Sequence, residues 1–185
     1  PGFVLPLIGV LACGHGMVIA AYLVHDCGHN ALFRKTEHNT RLGKALNWIT
    51  GGCYGTYEDL RYKHMRHHVD NADPISFDYR AWLKAHPKTE KLVFALEWGY
   101  FPAVDIIMHA MLVIAPFTSI GKPGFRKRSL AVIATRILLL AALVVWSLKA
   151  VLLYALAYLF MLTVLRFFDA YQHNYEILVN LNDPN

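Results

Sequence analysis

Charge is what this sequence has least of. Only 17% of its 185 residues are Asp, Glu, Lys or Arg, against 56% hydrophobic residues, and its mean hydropathy is +0.33. Soluble domains carry about 25% charged residues, so the composition argues against a freely soluble chain. Acidic residues are the scarcer sign, 13 against 18 Lys and Arg, for a net charge of +5. The basic residues are not set in a polar domain, which excludes a nucleic-acid-binding profile. Cysteine is scarce too. Cys13, Cys27 and Cys53 are odd in number and match neither a zinc site nor a disulfide framework, so they are read as reduced thiols. No signal peptide with a cleavage site, internal repeat or low-complexity segment is read. The length suits one domain.

Long apolar runs are present instead. Residues 3–24 contain no charged side chain, and about 20 apolar residues cross a bilayer. Residues 130–168 form a second apolar stretch whose only charges are Arg136, Lys149 and Arg166. As one straight helix it would be roughly 58 Å long, about twice the hydrocarbon thickness. Two spans, 130–148 and 150–168, joined by a turn near Ser147 and Lys149, remove the mismatch. Residues 101–120 are also mostly apolar, but contain Asp105 and His109 and are bracketed by Pro102 and Pro116. They are expected to form an interfacial helix. Fifteen of the 18 Lys and Arg residues fall between Asp26 and Ser129. Arg34 and Lys35 flank the first span, and Arg126, Lys127 and Arg128 the second, which predicts that this face is cytoplasmic. The expected fold is all-α and integral to the membrane, with transmembrane helices and a cytoplasmic helical cap.

Ten histidines are the compositional oddity. His25-Asp26-Cys27-Gly28-His29 has the pattern HxxxH at the end of the first span. Positions i and i+4 are neighbours on a helix face, so the two imidazoles can bind one metal ion or flank a pair. His64-Met65-Arg66-His67-His68 has the pattern HxxHH. On a helix the later two straddle the first one turn away, and all three rings are expected on one face. Neutral imidazole is the commonest side-chain metal ligand. The hairpin of spans returns the chain to the same side, where His173 emerges as a candidate sixth ligand. Asp26, Asp70 and Asp169 lie close in sequence to these histidines. They are candidates to accept the second ring N–H of a metal-bound imidazole. His15 is expected to pack or hydrogen-bond within the first span, and His38 and His86 to be solvated. Asp105 and His109, four residues apart, are expected to pair.

HDCGH at 25–29 and HMRHH at 64–68 resemble the first two histidine boxes of integral-membrane fatty acid desaturases, a pattern shared with membrane hydroxylases and carotenoid-modifying enzymes. The boxes, their separation and the hairpin after the second box match, so the resemblance covers essentially the whole chain. It implies that His25, His29, His64, His67 and His68 ligate two iron ions that activate oxygen, and that His173 resembles an extra ligand some members place after the last span. The family's third box, usually HxxHH, has no counterpart after His173. The chain, which begins at Pro1 and ends at Asn185, is therefore read as one partial domain, 1–185, expected to be inactive alone.

The implied activity is the oxygen-dependent introduction of a double bond into a fatty acyl lipid or carrier-bound acyl chain, with electrons from a ferredoxin or small cytochrome. Non-haem iron with oxygen can take hydrogen from an unactivated methylene, which side chains alone cannot do. A di-iron hydroxylase of lipid, alkane or carotenoid substrates is the nearest alternative. A non-catalytic membrane haem- or metal-binding protein, using His15 or His109, is the other. Neither box has the glutamate of an HExxH zinc protease.

Overall fold

The computed structural model describes residues 2–70, 72–75, 77–118, 124–172 and 176–179. In chain order its elements are α1 (Val4–Gly28), α2 (Thr36–Ile49), a 3-10 turn (Gly52–Tyr54), α3 (Tyr57–Asp70), β1 (Ala72–Ile75), α4 (Tyr79–Lys84), α5 (Pro87–Trp98), α6 (Ala103–Ile114), a second 3-10 turn (Ala115–Phe117), α7 (Phe125–Trp146), α8 (Leu148–Gln172) and β2 (Glu176–Val179). Helices α1, α7 and α8 are long and apolar enough to cross a membrane. Their outer faces are what lipid requires: Leu138 is 70% exposed, Val145 89% and Trp146 80%. Tryptophan at a span end suits the membrane–water boundary.

At 1.5 Å per residue the 25 residues of α1 reach about 38 Å, more than the roughly 30 Å hydrocarbon core. The helix therefore runs on past Val24 to Gly28 and carries the first histidine motif in its last turn. The break between α7 and α8 is a single residue. Ser147 is extended, with φ −166°, and its Oγ accepts from Ala150 N at 3.2 Å. Lys149 sits exposed in the first turn of α8. Helix α6 with its 3-10 extension covers only Ala103–Phe117. Those 15 residues are about 22 Å of helix, short of a straight crossing.

The spans pack where small residues allow it. Met17 and Val18 of α1 bury against Ala157, Met161 and Leu162 of α8. A Cβ on Gly14 would lie 2.5 Å from the Phe160 ring and 2.9 Å from the Ala157 carbonyl, so glycine is what lets the two helices approach. A second cluster, Val24, Cys27 and Tyr57 backed by Leu42 and Leu46, joins α1, α2 and α3 beneath the first motif. Asn39, wholly buried, holds the link between α1 and α2. Its Oδ1 accepts from Leu32 N and Phe33 N, and its Nδ2 donates to Phe33 O and Lys35 O.

Three arginines fasten the hairpin to the rest. Arg128 donates to the carbonyls of Cys53, Tyr54 and Gly55 at 2.7, 3.0 and 2.8 Å. Arg136, eight residues further into α7, donates to Trp48 O and Cys53 Sγ. Arg166 pairs with Glu97 at 3.1 Å and lies 3.7 Å from Asp105. The expected Asp105–His109 side-chain pair is thereby corrected. His109 Nδ1 bonds the Asp105 backbone carbonyl at 2.8 Å, while the Asp105 carboxylate turns to Arg166. His15 is exposed on α1, on a helix face turned away from the α8 contact rather than packed.

An element the sequence pattern does not announce is a two-stranded parallel pair, β1 with β2, in register Ala72↔Glu176 to Ile75↔Val179. Pro74 is tolerable there because each strand has a free edge. This pairing brings the chain after α8 to the chain after α3, so the C-terminal end of α8 and the second histidine motif lie at the same end of the molecule.

Burial pushes the Asp105 carboxyl up to about 6 from its usual 3.8, with Arg166 opposing the rise and Glu97 adding to it. A carboxyl raised in the folded state adds stability at low pH and loses it as pH climbs through the folded value. Asp105→Asn should therefore flatten the fall in stability between about pH 4 and pH 6 and raise the unfolding temperature at neutral pH. Thermal unfolding of the detergent-purified protein across that range is the measurement, and an unchanged pH slope would contradict it.

Candidate metal centre

Two helix ends build the site. The last turn of α1 presents His25 and His29, four residues apart, with His29 N bonded to His25 O at 3.2 Å. Helix α3 presents the second motif. Its start is set by Thr56, whose Oγ1 accepts from Asp59 N at 3.0 Å and donates to the Asp59 carboxylate at 2.7 Å, a side-chain N-cap. Arg61 Nε donates to Gly28 O at 2.9 Å, satisfying a carbonyl at the end of α1 and docking α3 on it. The Lys44–Glu58 ion pair adds a link from α2. Arg61, Thr56 and Lys44 are the supporting residues that sequence reasoning missed. Only Thr56 carries a legible signal, the T-x-x-D spacing ahead of a helix.

The four side chains His25, His29, His64 and His68 come together so that one ring nitrogen from each lies within 4.8 Å of all the others. It is the one such group of potential metal ligands among the described residues. His64 is the hub. Its Nε2 is 2.7 Å from His29 Nε2 and 3.1 Å from His68 Nε2, and its ring centroid is 4.4 Å from that of His25. Two imidazole nitrogens each about 2.1 Å from one ion stand roughly 3.0–3.4 Å apart at octahedral to tetrahedral angles; the His64–His68 spacing of 3.1 Å falls in that range and the His64–His29 spacing of 2.7 Å is shorter.

Electrostatics agrees. Burial holds the His64 imidazolium form off, and the neighbouring His25, His29, His68 and His67 rings add to the effect. Together they push the ring down to about 3, so at neutral pH it is an uncharged donor, the form a metal needs. Asp26 Oδ1 lies 3.1 Å from His25 Nδ1. A proton on that Nδ1 leaves Nε2 free to ligate.

The remaining predicted residues are placed differently. His67 is buried and stands apart from the four, its ring 6.0 Å from His64 and 5.4 Å from His68. The expected three-ring face thus separates into a pair and a single ring, because at 100° per residue the i+3 and i+4 positions diverge to either side of His64. Asp70 accepts from Arg66 Nε at 2.6 Å, four residues back on α3. Asp169 is near enough to Asp105 to help raise its carboxyl. His173 lies outside the described residues. His38 and His86 are exposed, as expected; the His38 ring lies 5.9 Å from Phe33, and His86 bonds the Trp82 carbonyl at 2.8 Å and stacks on its ring.

Imidazole clusters suit zinc, copper, iron or nickel. Among known proteins, the model of the family described as fatty acid desaturase matches residues 1–185. No curated protein and no solved structure matches the chain.

Proposed function

Since the chain belongs to the fatty acid desaturase family, we propose that it is the metal-binding part of an oxygen-dependent oxidoreductase that introduces a double bond into a fatty acyl chain. The observation that carries this reading is the convergence of His25, His29, His64 and His68 from two different helices. In this reading those four, with His67 and His173, hold two iron ions. Bound non-haem iron would supply the oxidising capacity for removing hydrogen from an unactivated methylene, which no side chain here possesses.

The chain's own residues set up that chemistry. His64 is kept neutral by burial and by its neighbours. Asp26 orients His25. Arg61 and the Val24, Cys27, Tyr57 cluster hold the two helix ends at fixed separation. The three candidate spans give access to lipid, and the helix ends carrying the histidines meet water, where a small electron carrier can dock. The basic flanks Arg34, Lys35 and Arg126 to Arg128 support a cytoplasmic face for this end and an acidic donor, a ferredoxin or small cytochrome. Overall, two hydrogens from adjacent carbons, two electrons and two protons from outside, and one oxygen molecule give one double bond and two waters.

The test has two parts. Full-length protein purified from cells should contain iron above zinc or copper by elemental analysis. Cells expressing it should accumulate acyl chains two hydrogens lighter. Chains heavier by one oxygen would instead establish the hydroxylase of the same family, and an iron-free protein with unaltered lipids would remove the proposal.

A further inference from the structure

Helix α5 keeps one face for the protein and turns the other outward. Val93 is buried with Leu83, Ala103 and Val104. On the opposite side Lys88, Lys91, Leu92 and Trp98 share a face through their spacing of three and four residues. Trp98 is 88% exposed, and Phe94, one turn earlier, is 71% exposed. A bare apolar patch rimmed by charge marks an interaction surface. Lys84, in the last turn of α4, is exposed like Lys88 and Lys91. Among the described residues no ion pair uses any of these three lysines.

The depth of the patch points to its partner. In the turn after α5, the Tyr100 carbonyl accepts from Thr163 Oγ1 at 3.3 Å, and the Tyr100 ring lies 6.5 Å from that of Phe167. Thr163 stands six residues inside the Asp169 end of the apolar stretch of α8, about 9 Å of helix. The turn is therefore level with the last turns of a span. Helix α6, which follows, is fastened at that level at both ends. Asp105 lies 3.7 Å from Arg166 near the end of α8, and Pro116 O accepts from Arg126 Nε at 3.2 Å at the start of α7. Helix α6 thus lies across the open end of the hairpin and holds the end of α5 beside it. A soluble partner would have to displace lipid to reach this level. A second copy docking through the same face would set its own Lys88 and Lys91 against this pair. Tryptophan and tyrosine favour the lipid–water boundary, and lysines beside a span attract anionic head groups.

We propose that the outer face of α5 seats in the head-group layer of an anionic leaflet. Trp98 and Tyr100 lie at the acyl boundary, and Lys84, Lys88 and Lys91 lie on the phosphates of anionic phospholipids. The contact is with the head groups of the surrounding bilayer and not with a chain to be modified. It rests on α7 and α8 crossing that bilayer, and needs neither metal nor turnover to be detected.

Trp98 is its own reporter. Full-length protein in which Trp98 is the one tryptophan kept is placed in phosphatidylcholine nanodiscs. These contain a rising fraction of bromine-labelled phosphatidylglycerol or, separately, of bromine-labelled phosphatidylcholine. Both lipids should quench Trp98, and acrylamide in the water should not. The anionic lipid should reach half-quenching at a roughly fivefold lower mole fraction, the preference expected of a single lysine at the surface. Changing Lys84, Lys88 and Lys91 together to Gln should erase that difference and leave quenching by phosphatidylcholine in place. Hydrogen exchange on the unaltered protein decides the matter if a variant does not fold. Amides of residues 87–98 should then exchange several-fold more slowly in nanodiscs with phosphatidylglycerol than in pure phosphatidylcholine. Free quenching by acrylamide, shielding of Trp98 from lipid and acrylamide alike, or an equal response to the two lipids overturns the proposal.

Discussion

His64→Ala empties the metal centre, whereas His38→Ala and His86→Ala leave it loaded. That is the expected outcome of elemental analysis on purified variants. His64 makes the closest approaches within the cluster: 2.7 Å to His29 and 3.1 Å to His68 between nitrogens, and 4.4 Å to His25 between centroids. Removing it takes away one donor and also the partner that holds two more in place. Loss of a mere outer partner of a ligand costs roughly 10–100-fold in affinity, so loss of the hub should exceed that range. His38 and His86 are engaged elsewhere, with Phe33 and Trp82. His67→Ala separates two accounts of the buried ring. Metal loss with the fold intact would make it a ligand, while unfolding with metal retained in the surviving fraction would make it packing. Retention of full metal by His64→Ala would remove the centre as drawn.

The second large effect is a coupled one. Gly51 has φ +82°, and a Cβ there would overlap the Tyr158 hydroxyl and stand 3.0 Å from its Cζ. Left-handed backbone costs a non-glycine residue about 1–2 kcal/mol, and overpacking adds about 1–3 kcal/mol. Gly51→Ala should therefore destabilise the protein by roughly 2–5 kcal/mol, the sum of those two terms. Tyr158→Phe removes the overlapping oxygen together with its bond to Thr50 O at 3.2 Å. In that background Gly51→Ala should cost at least about 1 kcal/mol less, a coupling that a double-mutant cycle resolves. Strict additivity would mean that the turn and α8 do not meet at this point. The turn matters beyond itself because it leads directly into α3 and thus sets where the second histidine motif lands.

The parts of this structure that follow simple periodicities were legible. The apolar runs are the long helices, Ser147 and Lys149 do mark the turn between two of them, and the HxxxH and HxxHH spacings fall on helix faces. Less legible was everything decided by single polar contacts. Helix α2 has a weak apolar pattern broken by Asn39, Gly43 and Asn47. Those residues are the very ones buried, Asn39 to fold the preceding loop and Gly43 to admit the Tyr57 ring. Arg136 stood out as a charge in an apolar run, but nothing in the spacing pointed to Cys53, 83 residues away. The β1–β2 pairing was invisible because Ala72-Asp-Pro-Ile has no strand signature, and its register is set by the tertiary fold. The separation of His67 from its neighbours follows from helix geometry, yet the side of α3 that turns inward depends on Tyr57 and Arg61.

All four clustered histidines come from α1 and α3, between residues 25 and 68, while α8, the main packing partner of α1, is made later. A ribosome therefore delivers the imidazole pocket well before the hairpin that braces it. At that moment the pocket is a set of four imidazoles with Asp26 beside His25, and divalent ions rank themselves by intrinsic affinity, with iron below copper and zinc. Under the iron reading, the nascent chain is exposed to capture of the wrong metal during synthesis. Selection of the right one then falls to the cell's supply of free ions and to whatever ligands arrive with the later segments.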